Sequence, residues 1–308
     1  MPTAEHVLGI TIERADYTPE QKERIVKRLL NGGDPREDFE RLRNNDATTA
    51  FSPRGIDVVN AFTLVERLNT VSKTGISFFD LWRNKAQFKK KPYVAKMIQH
   101  YAATKDVGEN DIQMWFRIYN LYYGAISVFR PSIAMSIYDR FKPTSVLDFT
   151  MGWGGRLVGA CALDVPRYIG VDSNTNLREP YKQMVSFLKP LSATKTTLFF
   201  RDALSVDYDK LDYDMVLTSP PYFNIERYAN QPNRTKENWI SEFYEPLFKK
   251  TFAGMKRGGH YCLNIPEEIY RAVALHLFGR PSHRIHMPKY KRQQTEEYKE
   301  FIYVWKKN

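Results

Sequence analysis

Apolar residues recur at helical spacing up to about residue 125, and beyond it short apolar runs alternate with helical stretches. From about Thr18 to Leu42 the chain is rich in Glu, Lys and Arg, and Ile25, Leu29 and Leu30 share one face. Thr18 or Pro19 starts that surface helix and Gly32-Gly33 stops it. Ile56 to Val71 carries a broader stripe, through Val58, Val59, Phe62, Leu64, Val65 and Leu68, and reads as a core helix. A further helix, Asp111 to Val128, follows the turn at Gly108-Glu109-Asn110 and places Trp115, Ile118, Tyr119, Tyr122 and Tyr123 for core packing. Phe129 to Pro143 holds one more, opened by Pro131 and Ser132 and closed before Pro143.

After these helices the pattern becomes strand Ser145 to Phe149, helix from Leu157, strand Tyr168 to Asp172, helix Leu177 to Phe187, strand Thr197 to Asp202 and strand Met215 to Thr218. Helix Trp239 to Phe252, strand His260 to Ile265 and helix Glu267 to Leu277 follow, then strands Arg284 to Met287 and Glu300 to Trp305. The last two, joined by a short charged loop, predict a C-terminal hairpin on an otherwise parallel sheet. The fold class is therefore α/β, a doubly wound sheet preceded by a helical N-terminal module. The soft boundary near residue 125 gives two domains, 1–125 and 126–308.

Composition narrows the function. With 43% hydrophobic and 14% aromatic residues the 308-residue chain can bury a full core, and a formal charge of +11 favours a polyanionic partner. That charge gathers in ISFFDLWRNKAQFKKKPYVAKMIQHY, where Lys89, Lys90 and Lys91 stand among Phe78, Phe79, Trp82, Phe88 and Tyr93, with no acid after Asp80. Basic residues interleaved with aromatics suit a surface that tracks phosphates and stacks on bases. Cys161 and Cys262 stand alone in apolar runs, as buried thiols, which argues against a disulfide framework or a zinc site. The charged N-terminus and the lack of a transmembrane-length apolar run lead to the expectation of a soluble, cytoplasmic protein with no membrane partner.

Two stretches carry chemistry. SVLDFTMGWGGR, Ser145 to Arg156, is a strand that breaks into a turn at Gly152, Gly154 and Gly155, where backbone can come close to a ligand. DMVLTSPPYF, Asp214 to Phe223, is a strand that stops at Ser219-Pro220-Pro221-Tyr222, because two prolines end the ladder and stiffen the loop. Ligands of open parallel sheets bind at the carboxyl ends of strands, and here four strands end at Asp148, Asp172, Asp202 and Ser219. Asp172 lies at the distance past the glycine turn at which a second-strand acid accepts both ribose hydroxyls.

These motifs resemble the S-adenosylmethionine-dependent DNA amino-methyltransferases, over roughly residues 125 to 308. DFTMGWGG, with Asp148, Phe149, Gly152, Gly154 and Gly155, is similar to the family's cofactor-binding glycine motif, and GVDSN to its ribose-binding segment with Asp172. RDAL, with Asp202 and Ala203, resembles the adenine-contacting segment, and FRPSIAMSIY, opened by Phe129, Arg130 and Pro131, the helix over the methionine part of the cofactor. MKRGGHYCLNI, Met255 to Ile265, resembles the fifth-strand approach, and TSPPY the catalytic tetrapeptide. The resemblance implies a Rossmann-like methyltransferase fold, S-adenosyl-L-methionine as cofactor, no metal, and methyl transfer to an exocyclic base amine in flipped or single-stranded DNA. Ser219 and the Pro220 carbonyl would accept the amine hydrogens, Pro221 would stiffen the loop, Tyr222 would stack on the base, and Phe223 would help hold it. Serine at the first catalytic position favours cytosine N4 over adenine N6.

Too little chain follows the last strand for a separate recognition domain. The N-terminal helices are therefore the candidate reader, and candidate contacts nearer the active mouth are the loop Tyr228 to Lys236 and the basic segment His283 to Arg292, with Lys289 and Arg292. Three other readings stand beside this one. An RNA amino-methyltransferase would use the same pocket on unstacked bases. A dinucleotide-dependent oxidoreductase would use Gly152 to Gly155 and Asp172 but lacks GxGxxG spacing and gives Ser219 to Tyr222 no role. The third is a non-catalytic nucleic-acid-binding module.

Overall fold

The computed structural model describes residues 4–30, 32–44, 52–72, 74–105, 108, 110–124, 126–223, 234–287 and 300–308. The chain opens with a hairpin that helical periodicity did not announce: β1 (Ala4–Val7) pairs antiparallel with β2 (Ile10–Glu13). Its two-residue turn, Leu8-Gly9, has positive φ at both positions, the geometry that matches strand twist in tight hairpins. Helices α1 (Pro19–Leu30), α2 (Pro35–Arg43), α3 (Ile56–Asn69), α4 (Phe78–Arg83), α5 (Lys85–Phe88) and α6 (Pro92–Lys105) follow. Next come α7 (Ile112–Ile118), which runs on as a π-helical turn over Tyr119–Tyr123, and α8 (Pro131–Phe141). The helix expected over Asp111 to Val128 therefore stops at Tyr123. There Gly124 takes a φ of 150°, and a Cβ on it would stand 2.4 Å from the Ser72 Cβ.

Two compact units emerge. Among described residues the first draws on the stretches up to Gly33 and from Thr63 to Ser127, the second on Asp34–Phe62 and most of the chain from Val128 onward. The sequence boundary near residue 125 is thus simpler than the observed division, in which the segment that carries α2 belongs with the sheet. In the first unit the hairpin is clamped to α4 by Asp80, whose carboxylate accepts from Arg14 Nη1 at 3.0 Å, from the Ala15 N–H at 2.8 Å and from its own capping partner Ser77. Phe78, Phe79 and Phe88 are fully buried in that unit's core, with Trp82 nearly so. Apolar spacing on short helices decides this: these rings face inward, so they cannot be the base-stacking partners of the neighbouring lysines.

The second unit is a seven-stranded sheet. Its strands are β3 (Ser145–Asp148), β4 (Arg167–Asp172), β5 (Lys195–Phe200), β6 (Met215–Thr218), β7 (His260–Ile265), β8 (His283–Met287) and β9 (Glu300–Lys306), in the order β5-β4-β3-β6-β7-β9-β8. β3 to β7 run parallel, and β9 inserts antiparallel between β7 and β8, as the expected C-terminal strand pair requires. The order reverses at β3, so β3, β4 and β6 present their carboxyl ends beside one another at the switch point of a doubly wound, Rossmann-like α/β fold. The crossovers include α9 (Gly155–Ala162), α10 (Arg178–Leu188), α11 (Lys236–Trp239) and α12 (Glu245–Ala253), then the short α13 (Glu267–Ile269) and α14 (Leu275–Phe278).

β3, β6 and β7 are buried along almost their whole length, as strands covered on both faces must be. Cys161 and Cys262 are buried free thiols, as expected. Among the described residues no helix is long and apolar enough to cross a membrane. Lys289 and Arg292, the charged loop before β9, and most of the Tyr228 to Lys236 loop lie outside the described residues.

Candidate active site

The turn between β3 and α9 is held from the β4 side. The Met151 N–H donates to the Val171 carbonyl at 2.9 Å, the Gly152 N–H to Asp172 Oδ2 at 2.8 Å, and the Tyr181 hydroxyl of α10 to the Gly152 carbonyl at 3.0 Å. The glycines then divide by role. Gly152 has φ +55°, and a Cβ there would find nothing closer than the Thr150 carbonyl at 3.9 Å, so its Cα faces open space. At Gly154 a Cβ would lie 2.8 Å from Met184 Cε, and at Gly155 only 1.8 Å from the Phe129 carbonyl oxygen. Gly159, which the sequence did not single out, is crowded too, with a Cβ there 2.6 Å from the Pro131 carbonyl oxygen.

Gly155 and Gly159 thus let α8 and the strap before it lie against α9, whereas Gly152 keeps the mouth of the turn clear. Gly155→Ala is expected to cost about 3 kcal/mol, the upper end for overpacking because the collision is with backbone, and thermal denaturation should show it. Phe129, Arg130 and Pro131 form that strap. Pro131 is buried at the first position of α8, and the Arg156 guanidinium sits 5.0 Å from the centre of the Phe129 ring.

The strand-end acids do different work. Asp172, half-buried, accepts from the Gly152 and Asn174 N–H groups, at 2.8 and 2.9 Å. Burial raises its pKa from the ordinary 3.8 to about 6, in spite of the two donors that favour its charged form. Asp202 is exposed and caps a short 3₁₀ turn by accepting from the Leu204 N–H at 2.9 Å, and Ala203 beside it is buried. Asp148, by contrast, is 0% exposed. Its Oδ2 accepts from Arg156 Nε and from the Tyr168 hydroxyl, both at 2.6 Å, and its Oδ1 accepts from Thr218 Oγ1 at 2.8 Å. Phe149 is likewise in the core, its ring 6.2 Å from Phe248. Asp148 and Phe149 therefore place the turn through their buried side chains.

Thr218 links the two motifs. Because its proton goes to Asp148, the 2.6 Å contact between the hydroxyls of Thr150 and Thr218 has Thr150 as donor. The residue before Ser219 is thereby tied to the glycine turn. Beyond it, Ser219 Oγ donates to Asn264 Oδ1 at 3.2 Å, and the Tyr222 hydroxyl lies 3.0 Å from both Ser219 Oγ and Asn264 Oδ1. Asn264 is 2% exposed near the end of β7, and its own amide donates to the Phe301 carbonyl at 3.3 Å, which fixes the oxygen toward Ser219. The rest of the loop is pinned by Tyr244, whose hydroxyl donates to the Pro221 carbonyl at 2.6 Å and accepts from the Phe223 N–H at 3.0 Å.

Sequence reasoning missed Asn264. The one signal was a polar residue inside the apolar run HYCLNI. Pro220 is buried, and Phe223, at φ +52°, is 7% exposed with its ring edge-on to Tyr244, so it anchors the loop. Lys89, Lys90 and Lys91 belong to the first unit, and Lys91 donates to the Leu8 carbonyl at 2.6 Å.

No family model matches the chain, and no curated protein does. Among solved structures it is similar to TrmN from Thermus thermophilus, at 17% identity over 57% of this chain and 48% of that one, with a TM-score of 0.37. An rRNA methylase from Streptococcus thermophilus aligns at 14% identity over 59% and 99%, TM-score 0.39. A SAM-dependent O-methyltransferase from Thermotoga maritima aligns at 14% over 62% and 70%, TM-score 0.40. At this level of likeness the chemistry has to be read from this chain's own residues.

Proposed function

We propose that the chain transfers a methyl group from S-adenosylmethionine to an exocyclic amine of a nucleic-acid base, with cytosine N4 in DNA as the target that Ser219 favours. The observation that carries this reading is the junction of an open glycine turn, a ribose-ready carboxylate and a Ser-Pro-Pro-Tyr loop on adjacent strands, tied by the Thr150–Thr218 hydroxyl contact. The residues fit an adenosyl cofactor: Gly152 leaves room above its Cα, and Asp172 is oriented by two backbone donors with its carboxylate still partly accessible. Asp172 would hold the ribose, the segment at Asp202 and Ala203 the adenine, and the strap Phe129 to Pro131 the methionine end. When bound, the cofactor supplies an electrophilic sulfonium methyl.

A base amine is a poor nucleophile because its lone pair is delocalised into the ring. It must be held more tetrahedral, by acceptors on its hydrogens. Asn264 can only accept at Oδ1, so it takes the Ser219 proton and leaves the serine oxygen's lone pairs for an amine N–H. The Pro220 carbonyl, in a loop pinned through Tyr244, is the second acceptor. Tyr222 offers its ring to the base, which must leave the stack to reach it.

Cofactor affinity should fall as pH drops through about 6, because a neutral carboxyl at Asp172 accepts the ribose protons less well. The sign for stability is opposite. Protonation relieves the burial cost of Asp172, so this residue favours the fold on acidification, and the lost binding does not report unfolding. Calorimetry at several pH values checks this, and Asp172→Asn should remove the step.

The reading is tested by methyl transfer from labelled cofactor to duplex DNA, single-stranded DNA and RNA, with the nucleosides identified by mass. N4-methylcytosine in DNA is expected. N6-methyladenine would remove the base selection by Ser219, label in RNA alone would move the substrate to RNA, and no transfer to any of them would overturn the reading.

A further inference from the structure

The exposed large hydrophobic residues among those described are Leu8, Val71, Tyr93, Leu121 and Tyr122, and all five belong to the first unit. Single exposed apolar residues are ordinary, but contiguous ones mark interaction surfaces. Tyr93 and Tyr122 are contiguous: each is 38% exposed, and their ring centres lie 4.7 Å apart. Leu121 precedes Tyr122, and Lys91 reaches the Leu8 carbonyl, which brings the hairpin turn beside the start of α6. The pair is also stiff. The Tyr93 hydroxyl bonds that of Tyr123 at 2.9 Å, and Tyr123 is buried with its ring 5.1 Å from Phe88.

Cations border this pair. From Leu81 to Lys105 the chain has seven basic residues and no acid. Arg83 is neutralised by Glu13 and Asp16, whereas among the described residues Lys90 reaches the neutral amide of Gln87 and Lys91 a backbone carbonyl. Lys85, over the face of Trp82, is pushed toward its neutral form by burial and then by Arg28 and Lys89, which is like-charge crowding that an anion relieves.

We propose that Tyr93 and Tyr122, with Lys90, Lys91 and Lys96 beside them, form a stacking surface for an unpaired nucleic-acid strand. The lysines suit its phosphates and the rings its bases, whereas a duplex keeps its bases stacked on each other and offers the tyrosines none. Sequence reading placed the stacking rings among Phe78, Phe79, Trp82, Phe88 and Tyr93 and gave Tyr122 to the core. Burial leaves only Tyr93 of the first group exposed and adds Tyr122. The inference deepens the proposed function by naming a second contact to the same substrate.

The test is fluorescence anisotropy of labelled dT and U oligonucleotides and of a hairpin duplex with the full chain, without methyl donor. The intact protein should prefer the single strands. Tyr93→Leu with Tyr122→Leu, at exposed positions and with folding checked by circular dichroism, should weaken that binding roughly 10-fold or more at unchanged salt slope. Lys90→Gln with Lys96→Gln should instead lower the salt slope, by about 0.7 for each phosphate that is no longer neutralised. Leucine variants that bind single strands as tightly as the intact chain overturn the proposal. So does unchanged binding with altered sedimentation, which would assign the face to a second protein. Because the assay contains no methyl donor, binding that persists beside a failed transfer assay removes the chemistry and leaves the surface standing.

Discussion

Asp148→Ala is expected to destabilise the sheet unit by about 3–5 kcal/mol, seen as a large fall in the urea midpoint, because it breaks a buried pair by removing one partner. The side chains of Asp148 and Arg156 are 0% and 4% exposed. Burial alone would push the guanidinium toward neutrality, but Asp148 overrides that and holds it more firmly charged than usual. Without the carboxylate a charged Arg156 stays in the core, still donating to the Thr150 carbonyl at 2.5 Å, and the hydroxyls of Tyr168 and Thr218 lose their acceptor. Pairing Asp148→Leu with Arg156→Met should recover much of the loss, since well-packed apolar residues often replace a buried ion pair without penalty. Asp172→Ala, at a half-buried position where two backbone N–H groups lose their acceptor but no buried charge is left unpaired, should move the midpoint less and should act mainly on cofactor binding. A midpoint for Asp148→Ala close to that of the unaltered chain would mean that the residue is not the structural centre of the turn.

That contrast shows where a sequence speaks and where it is silent. Asp148 and Asp172 look alike in sequence, each an acid closing an apolar strand at a neighbouring position in the sheet. What separates them is the partner set, and Arg156, Tyr168 and Thr218 come from three different elements. The sheet itself was legible because apolar runs of strand length alternate with helical ones, and the turn at Gly152 and the break at Pro220 are backbone chemistry that single residues dictate. The N-terminal hairpin was not legible, since AEHV and ITIE are only four residues each, half of them polar, and their pairing depends on the turn at Leu8-Gly9 and the clamp from Asp80. The glycines spoke only in part. The motif marks that a Cβ is excluded, but whether ligand or protein excludes it depends on Phe129, Pro131 and Met184, which approach from other elements. Tyr122 followed a helical pattern that the π-helical turn breaks, and the ring lies at the surface.

Ser219→Ala is expected to reduce methyl transfer roughly 10²–10³-fold, the loss typical of one preorganised polar contact to the reacting group, with cofactor affinity unchanged. Asn264 makes the prediction sharper. Asn264→Leu keeps Ser219 in place but removes the side-chain acceptor for its proton, so the hydroxyl can turn, while the Tyr222 hydroxyl keeps the backbone carbonyl of residue 264 at 3.2 Å. Turnover should fall by about 10²-fold, the scale on which a misplacement of an ångström counts, again without weaker cofactor binding. Asn264→Asp, whose carboxylate accepts both protons but cannot donate to the Phe301 carbonyl, should restore part of the rate. Tyr222 separates ring from hydroxyl: Tyr222→Phe keeps the face that would meet the base and should remain active, whereas Tyr222→Ala should not. If Asn264→Leu turned over like the unaltered chain, orientation of the serine through Asn264 would be excluded, although Ser219 could still act. If Tyr222→Ala and Tyr222→Phe were equally active, stacking would be excluded. If Tyr222→Phe alone were as impaired as Tyr222→Ala, the hydroxyl contact with Ser219 and Asn264 would be the part of Tyr222 that the reaction uses.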